Sequence, residues 1–117
     1  ILCVFAAFSD GSTHIKNAGR LRIKESDRIA AMECELKKLG VSIRSDENDI
    51  YIEGSTAYEG GVEFDAHNDH RIVMSLAVAA TLCKKPCTIH GAEAVRKSYP
   101  QFFDDLTRVG IEVERYE

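Results

Sequence analysis

The sequence predicts an α/β fold in which an α-β-α-β unit occurs twice. Segments with apolar residues at helical spacing alternate with short segments in which every second residue is apolar. In addition, residues 36–43 and 106–113 both run from the end of a helix through a glycine into an alternating strand. A duplicated unit of ~70 residues explains both observations. We therefore expect one partial domain over residues 1–117, with an internal repeat at 1–66 and 67–117.

The first unit begins with an apolar helix that ends near Phe8. Asp10-Gly11 leads into a strand over residues 12–15, a segment rich in cations follows, and Gly40 separates a helix over 26–39 from a strand over 41–44. Residues 49–53 and 62–65 also alternate, and we expect them to form a hairpin-like pair across Gly60-Gly61. The first helix is apolar on every side, which is typical of a buried segment, so we expect the chain to be a fragment.

The helix over residues 26–39 is predicted to bury only one face. The apolar residues of that face are Ile29, Met32, Leu36 and Leu39. Charged residues are predicted to lie largely off it: Asp27, Glu33, Glu35, Lys37 and Lys38.

The second unit repeats this order with a more apolar first helix. Residues 71–83 are apolar nearly all round, which predicts a buried central helix, and a strand follows over 87–90. The pattern Ser98-Tyr99-Pro100-Gln101 resembles a capping box and predicts a helix over 99–109. Gly110 and a strand over 111–114 complete the unit.

Composition excludes several classes of protein. Fifteen Lys and Arg residues against 19 Asp and Glu give a net charge of −4, so we expect no bulk attraction to nucleic acid or to a membrane surface. The initial apolar run is too short to cross a bilayer. The four cysteines and four histidines are not grouped at zinc-ligand spacing, and we expect buried free thiols, a reducing cytoplasm and no metal.

The most informative feature is the charged string over residues 21–28. Lys and Arg oppose the dipole at a helix N-terminus unless an anion sits among them. Three predicted helix starts carry such cations, namely Lys24 with Arg28, His70 with Arg71, and Arg96 with Lys97. We infer that these starts converge on one polyanionic ligand.

A simpler interpretation of the same residues is a set of surface ion pairs. Glu25 with Arg28 and Asp69 with Arg71 would each contribute less than about 1 kcal/mol. Whichever interpretation holds, Asn68-Asp69 supplies an N-cap and predicts that a helix begins at His70.

Three motifs resemble those of the 5-enolpyruvylshikimate-3-phosphate synthase (3-phosphoshikimate 1-carboxyvinyltransferase) family. They are Arg22-Ile23-Lys24-Glu25-Ser26-Asp27-Arg28, then Asn68-Asp69-His70-Arg71-Ile72 with Met74, and finally Lys97-Ser98-Tyr99-Pro100-Gln101-Phe102-Phe103. The resemblance covers essentially the whole chain. It implies an enolpyruvyl-transferase-like, inside-out α/β barrel domain, of which this chain contains most of two βαβαββ units.

The resemblance also implies a reaction and roles for single residues. The family joins phosphoenolpyruvate to the 5-hydroxyl of shikimate 3-phosphate and releases phosphate, in the cytosol or a plastid and without metal or organic cofactor. Lys24 would contact shikimate 3-phosphate, while Arg28, Arg71 and Lys97 would hold phosphoenolpyruvate. Catalytic roles are implied for Glu25 in proton transfer, Lys97 beside the departing phosphate and His70 in support of the site.

Two departures from the family pattern limit what the resemblance implies. Arg20 stands where some members carry an Asn, so we assign it no role. A further acidic residue of the family would fall before Ile1, and a missing N-terminal domain would supply the other ligands, so we expect these residues alone to be inactive.

Other functions remain to be tested. A non-catalytic anion-binding domain would use the same cations without turnover. An enolpyruvyl transferase with another acceptor is also possible on chemical grounds, although the relative acting on UDP-N-acetylglucosamine lacks this K-E-S-D-R string. Nucleic-acid binding fits poorly, because the chain is acidic and its aromatic residues fall at core-like positions.

Overall fold

The computed structural model describes residues 1–115. In chain order the elements are α1 (Leu2–Ala7), β1 (Gly11–Ile15), a 3₁₀ helix (Gly19–Ile23), α2 (Arg28–Lys38), β2 (Ser42–Ser45), β3 (Ile50–Gly54), β4 (Glu63–Asp65), α3 (His70–Thr81), β5 (Thr88–His90), a second 3₁₀ helix (Ala92–Lys97) and α4 (Phe102–Arg108). The order helix, strand, 3₁₀ helix, helix occurs twice. A duplicated unit would give this order, and the repeat stays a prediction.

The strands form two small sheets. β3 is central in an antiparallel sheet of order β1-β3-β2, and β4 pairs with β5 in parallel across the α3 crossover. The expected pairing of residues 49–53 with 62–65 was therefore wrong. Both edges of β3 are already occupied, so β4 has to find its partner beyond α3.

The core lies between the three-stranded sheet and helices α1, α2 and α3. Its largest fully buried apolar side chains are Phe64, Ile29, Leu36, Ile52, Ile72 and Leu76. Half of the residues of α3 are buried, including small ones such as Ala77 and Ala79, which confirms the predicted central helix. A smaller cluster around Val73 and Val95 holds the second 3₁₀ helix against α3.

α2 starts two residues later than predicted. Asp27 is its N-cap, and Oδ1 of Asp27 accepts a hydrogen bond from the Ala30 N–H at 3.0 Å. Lys24 therefore precedes the helix, at the end of the first 3₁₀ helix, whereas Arg28 is the first helical residue.

The C-terminal elements differ most from the prediction. α4 begins at Phe102 after Gln101, which makes no side-chain cap, so the predicted capping box at Ser98 does not form. The predicted strand over 111–114 is also wrong, because the described residues 111–115 form no regular secondary structure.

Glu35 and the cysteines correct two further predictions. Glu35 belongs to the buried face of α2 rather than to its solvent face. All four cysteines are free as expected, but only Cys3 is buried, and Cys34 is exposed. Among residues 1–115, no helix has the length and apolar character needed to cross a membrane.

Candidate functional site

Asp69 lies at the centre of the candidate site and is completely buried. As N-cap of α3 it accepts a hydrogen bond from the Arg71 N–H at 3.0 Å. Its other oxygen, Oδ2, accepts hydrogen bonds from Ser26 Oγ and from Arg28 Nε, both at 2.8 Å. The carboxylate of Asp69 thus caps the start of α3 and connects it to the start of α2 by hydrogen bonds.

Arg28 bridges two acidic groups. Besides Asp69, its Nη2 contacts the carboxylate of Glu25 three residues earlier. The Arg28 side chain is only 12% exposed, so its guanidinium is held in place. Within residues 1–115, Nη1 of Arg28 donates no hydrogen bond, which leaves its two N–H groups available to a ligand.

The third motif reaches the same place through Lys97. Its ammonium donates hydrogen bonds to the backbone oxygen of Asn68 at 2.6 Å and to Oδ1 of Asn68 at 2.9 Å. Lys97 ends the second 3₁₀ helix and does not start α4, so one of the three expected helix starts is a 3₁₀ terminus. All three motifs nevertheless meet around Asn68-Asp69.

Two cations in these motifs have no hydrogen-bond or ion-pair partner among residues 1–115. Within the described part of the chain, Lys24 and Arg71 are exposed and make neither a hydrogen bond nor an ion pair. Arg71 lines an open groove together with Arg28, and apolar residues such as Ile29 and Ile72 form much of the remaining lining. The groove therefore carries two guanidinium groups beside an apolar wall.

His70 is the first residue of α3 and carries an unsatisfied polar atom. Its Nδ1 is buried and has no hydrogen-bond partner among residues 1–115. Buried polar atoms are normally paired, and an exception of this kind at a cluster of charged groups is consistent with a binding site.

Hydrogen bonds, together with neighbouring charges, lower the pKa of both carboxyl groups of the site. Burial alone would raise the pKa of Asp69, but hydrogen bonds from Arg28, Ser26 and the Arg71 N–H lower it below the ordinary value. The pKa of Glu25 is also lowered, first by a hydrogen bond from its own backbone N–H and then by the charge of Arg28. The site thus contains two carboxylates and several cations.

Sequence reasoning missed some of these contacts. It identified Asp69 as a cap and Glu25 as a partner of Arg28, but it paired Asp69 with the Arg71 side chain instead of with Arg28. It assigned no contact to Ser26, and it gave Asn68 a part only in the N-cap of α3. The contact between Lys97 and Asn68 could not be predicted from the sequence around Lys97, because Asn68 lies 29 residues away.

Solved structures show which class of fold this arrangement belongs to. The chain superposes on the enolpyruvyl transferase NikO from Streptomyces tendae with a TM-score of 0.75 at 20% identity, over 97% of this chain and 24% of that one. An EPSP synthase from Acinetobacter baumannii gives a TM-score of 0.91 at 38% identity, over 99% of this chain and 27% of that one. These similarities confirm the predicted α/β fold of the enolpyruvyl transferases.

Sequence comparison identifies the family within that class. The profile of EPSP synthase (3-phosphoshikimate 1-carboxyvinyltransferase) matches residues 1–106. The 3-phosphoshikimate 1-carboxyvinyltransferase of Clostridium acetobutylicum is 51% identical over 116 residues, and that of Methanocella arvoryzae is 48% identical over 113. The chain belongs to the EPSP synthase family.

The matches cover nearly all of this chain but a small part of each relative. The Clostridium acetobutylicum protein is covered over 27% of its length and the Methanocella arvoryzae protein over 26%, against 99% and 97% of this chain. The chain therefore spans about a quarter of the length of these relatives.

Proposed function

We propose that the protein provides part of the active site of a cytoplasmic 3-phosphoshikimate 1-carboxyvinyltransferase. The reaction transfers the enolpyruvyl group of phosphoenolpyruvate to the 5-hydroxyl of shikimate 3-phosphate and releases phosphate. The observation that carries this proposal is the meeting of all three family motifs around Asn68-Asp69, where the guanidinium groups of Arg28 and Arg71 line a groove.

Phosphoenolpyruvate would be held by Arg28, Arg71 and Lys97. It carries a carboxylate and a phosphate, and planar guanidinium groups bind such groups through paired hydrogen bonds. Asp69 holds the Nε side of Arg28 and leaves Nη1 free, which supports a role for Asp69 in aiming this guanidinium. Lys97 keeps one N–H beyond its two bonds to Asn68, and that proton could reach a phosphate oxygen.

The chemistry has an addition and an elimination step. In the addition, the 5-hydroxyl oxygen bonds to C2 of phosphoenolpyruvate, the hydroxyl proton leaves and C3 takes up a proton. In the elimination, C3 loses a proton, the C2–C3 double bond forms again and the C2–O bond to phosphate breaks. Cations around the phosphate stabilise charge that grows as this group departs. Both steps use only the substrates and side chains, so the proposal includes no metal or organic cofactor.

Glu25 is proposed to transfer the C3 proton. An ordinary glutamate is a carboxylate at neutral pH, and the lowered pKa of Glu25 keeps it in that form, which suits the removal of a proton in the elimination step. To donate a proton in the addition step it would have to be protonated first, and anionic substrates beside it would favour that form.

Two further residues are proposed to contact the substrates. Lys24 is proposed to bind the phosphate of shikimate 3-phosphate, because it is an exposed cation next to Glu25 without a described partner. His70 is proposed to support the site through Nδ1, which has no hydrogen-bond partner among residues 1–115 and would bond to a bound substrate.

The proposal is tested by phosphate release from phosphoenolpyruvate and shikimate 3-phosphate with the naturally encoded protein. Glu25→Gln should lower kcat by about 10²–10⁴-fold while KM for phosphoenolpyruvate changes little. Glu59→Gln, at an exposed residue that pairs with Lys84 away from the motifs, is the matched control and should leave both constants unchanged.

Each alternative function has its own outcome in this experiment. A pure anion-binding domain would bind both substrates and release no phosphate even without substitution. A different acceptor would appear as phosphate release that requires another hydroxyl compound, such as UDP-N-acetylglucosamine, instead of shikimate 3-phosphate. A Glu25→Gln protein of undiminished rate would remove Glu25 from the mechanism.

A further inference from the structure

Three side chains of different metal-binding types lie together outside the motifs described above. They are Cys34 and Glu35 on α2 and His67 in the turn before α3, and their ligand atoms all lie within 4.8 Å of one another. We propose that Cys34, Glu35 and His67 bind a divalent transition-metal cation, with zinc as the best match. This inference does not depend on the proposed function.

The two inner ligands are already oriented towards each other. Glu35 is almost completely buried, and its Oε2 lies 2.9 Å from His67 Nε2. In a tetrahedral zinc site with the usual bond lengths, neighbouring O and N ligands lie about 3.3 Å apart. A cation that replaces the shared proton would therefore need this pair to open by only about half an ångström.

The second oxygen of Glu35 is held by other groups. Oε1 accepts hydrogen bonds from the Asp65 N–H at 2.8 Å and from Lys38 Nζ at 2.6 Å. Such outer contacts fix the direction of a coordinating carboxylate and are typical of protein metal sites. Lys38 is itself a cation and opposes a second one, so we expect moderate affinity for the metal.

Cys34 supplies the third ligand and the route of entry. Its side chain is exposed, so a cation can reach the thiolate from solvent, and the fourth coordination position would be open to water. A set of one thiolate, one imidazole and one carboxylate suits zinc, whereas magnesium and calcium favour oxygen ligands alone.

A bound cation would connect α2 directly to the segment that carries the candidate site. His67 is followed by Asn68 and Asp69, which hold Lys97 and Arg28. A ligand that binds only the folded state stabilises it by mass action, so zinc should raise the midpoint of thermal unfolding.

The test is a titration of the naturally encoded protein with Co²⁺, a spectroscopic substitute for zinc. We expect a thiolate-to-cobalt absorption band together with the visible bands of tetrahedral cobalt, both removed by added Zn²⁺. Cys34→Ser should abolish the thiolate band and weaken binding at least about tenfold. His67→Asn should weaken binding to a similar extent, and Asn tolerates the left-handed backbone of His67, with φ 52°.

Matched controls separate this site from other thiols and imidazoles. Cys87→Ser removes a partly buried thiol elsewhere in the chain. His90→Asn disrupts the pair of His90 with Glu63, which belongs to no three-residue cluster of metal-binding side chains among the described residues. Both variants should keep the cobalt spectrum and the zinc-dependent rise in unfolding midpoint. Absence of a thiolate band in the parent protein, or a band that survives Cys34→Ser, would overturn the proposal.

Discussion

At the scale of single residues, Asp69 organises the candidate site. It is completely buried, and it joins Ser26, Arg28 and the first turn of α3 through one carboxylate. A buried carboxylate is stable only when it is paired and hydrogen-bonded, and every contact of Asp69 serves that purpose. The same contacts hold Nε and Nη2 of Arg28, so they fix the orientation of its guanidinium group.

The first prediction concerns the substitution Asp69→Asn. Breaking a buried ion pair leaves Arg28 partly uncompensated, so we expect a loss of about 3 kcal/mol in the free energy of unfolding, measured by urea denaturation. Asp104→Asn is the control, because Asp104 pairs with Arg115 at the surface and its loss should cost less than about 1 kcal/mol. KM for phosphoenolpyruvate should also rise in Asp69→Asn if Asp69 aims Arg28. Equal stabilities of the two variants would show that the buried pair contributes little.

At the scale of secondary-structure elements, α1 packs closely on the end of β3. The Ala7 oxygen accepts hydrogen bonds from Tyr58 Oη at 2.8 Å and from the Ser55 N–H at 3.0 Å. Gly54 lies at this contact, and a Cβ atom there would overlap the carbonyl oxygens of Ala6 and Ser9. The absence of a side chain at residue 54 is therefore a condition for the approach of α1.

Gly54→Ala is predicted to destabilise the fold strongly. The backbone of α1 would have to move, and overpacking of this kind costs about 1–3 kcal/mol or more. Gly61→Ala is the matched control, because its Cβ would meet nothing closer than 3.6 Å and only its φ of +71° is unfavourable. The measurement is the unfolding midpoint of each variant. A larger loss in Gly61→Ala would contradict the proposed close contact.

We expect the turn between β2 and β3 to make the stability of the protein depend on pH. The Asp46 carboxylate accepts hydrogen bonds from the N–H groups of Asn48 and Asp49, at 3.0 and 2.8 Å, and these bonds lower its pKa. Because the folded-state pKa lies below that of the unfolded chain, the stabilisation is fully present above about pH 4. It is lost as the pH falls through the folded-state pKa.

Asp46→Ala should therefore lower the unfolding midpoint at pH 7 and have a smaller effect near pH 3. Urea denaturation at a series of pH values would measure the difference between the variant and the parent protein. Glu112→Ala, at an exposed residue of the described C-terminal segment, serves as a control. A difference that stays constant down to pH 3 would mean that the charge of Asp46 does not stabilise the turn.

At the scale of the whole molecule, the described residues form a main core and a smaller cluster but leave some apolar side chains exposed. Phe5 is 73% exposed and Ile23 is 83% exposed. The chain also spans only about a quarter of its relatives. We propose that further protein covers these side chains and closes the groove beside Arg28 and Arg71.

We accordingly predict that residues 1–117 expressed alone release no phosphate from phosphoenolpyruvate and shikimate 3-phosphate above the uncatalysed background. The cations described here can orient an anion, but water is not excluded from an open groove. The comparison is the same assay with the naturally encoded protein, and circular dichroism would verify that the shorter chain folds. Turnover by the 117 residues at an enzyme-like rate would refute this prediction.

Local patterns in the sequence were sufficient to predict most of the helices and strands. The helical periodicity of α2, the cap at Asp69 and the all-round apolar character of α3 depend on residues a few positions apart. The three motifs likewise identified the cationic segments and the family. The buried position of Glu35 was missed, because its partners, the Asp65 N–H and His67, come from another element.

Tertiary structure decided the contacts between distant residues. Arg28 and Asp69 are 41 residues apart, and only the packing of α2 against α3 makes one the counter-ion of the other. The pairing of β4 with β5 depended in the same way on the occupied edges of β3. Helix caps and periodicity act within a few residues, whereas burial of a charge requires a partner that the whole fold must supply. The sequence could therefore name the cations of the site, but the carboxylate that aligns Arg28 emerged only from the packed structure.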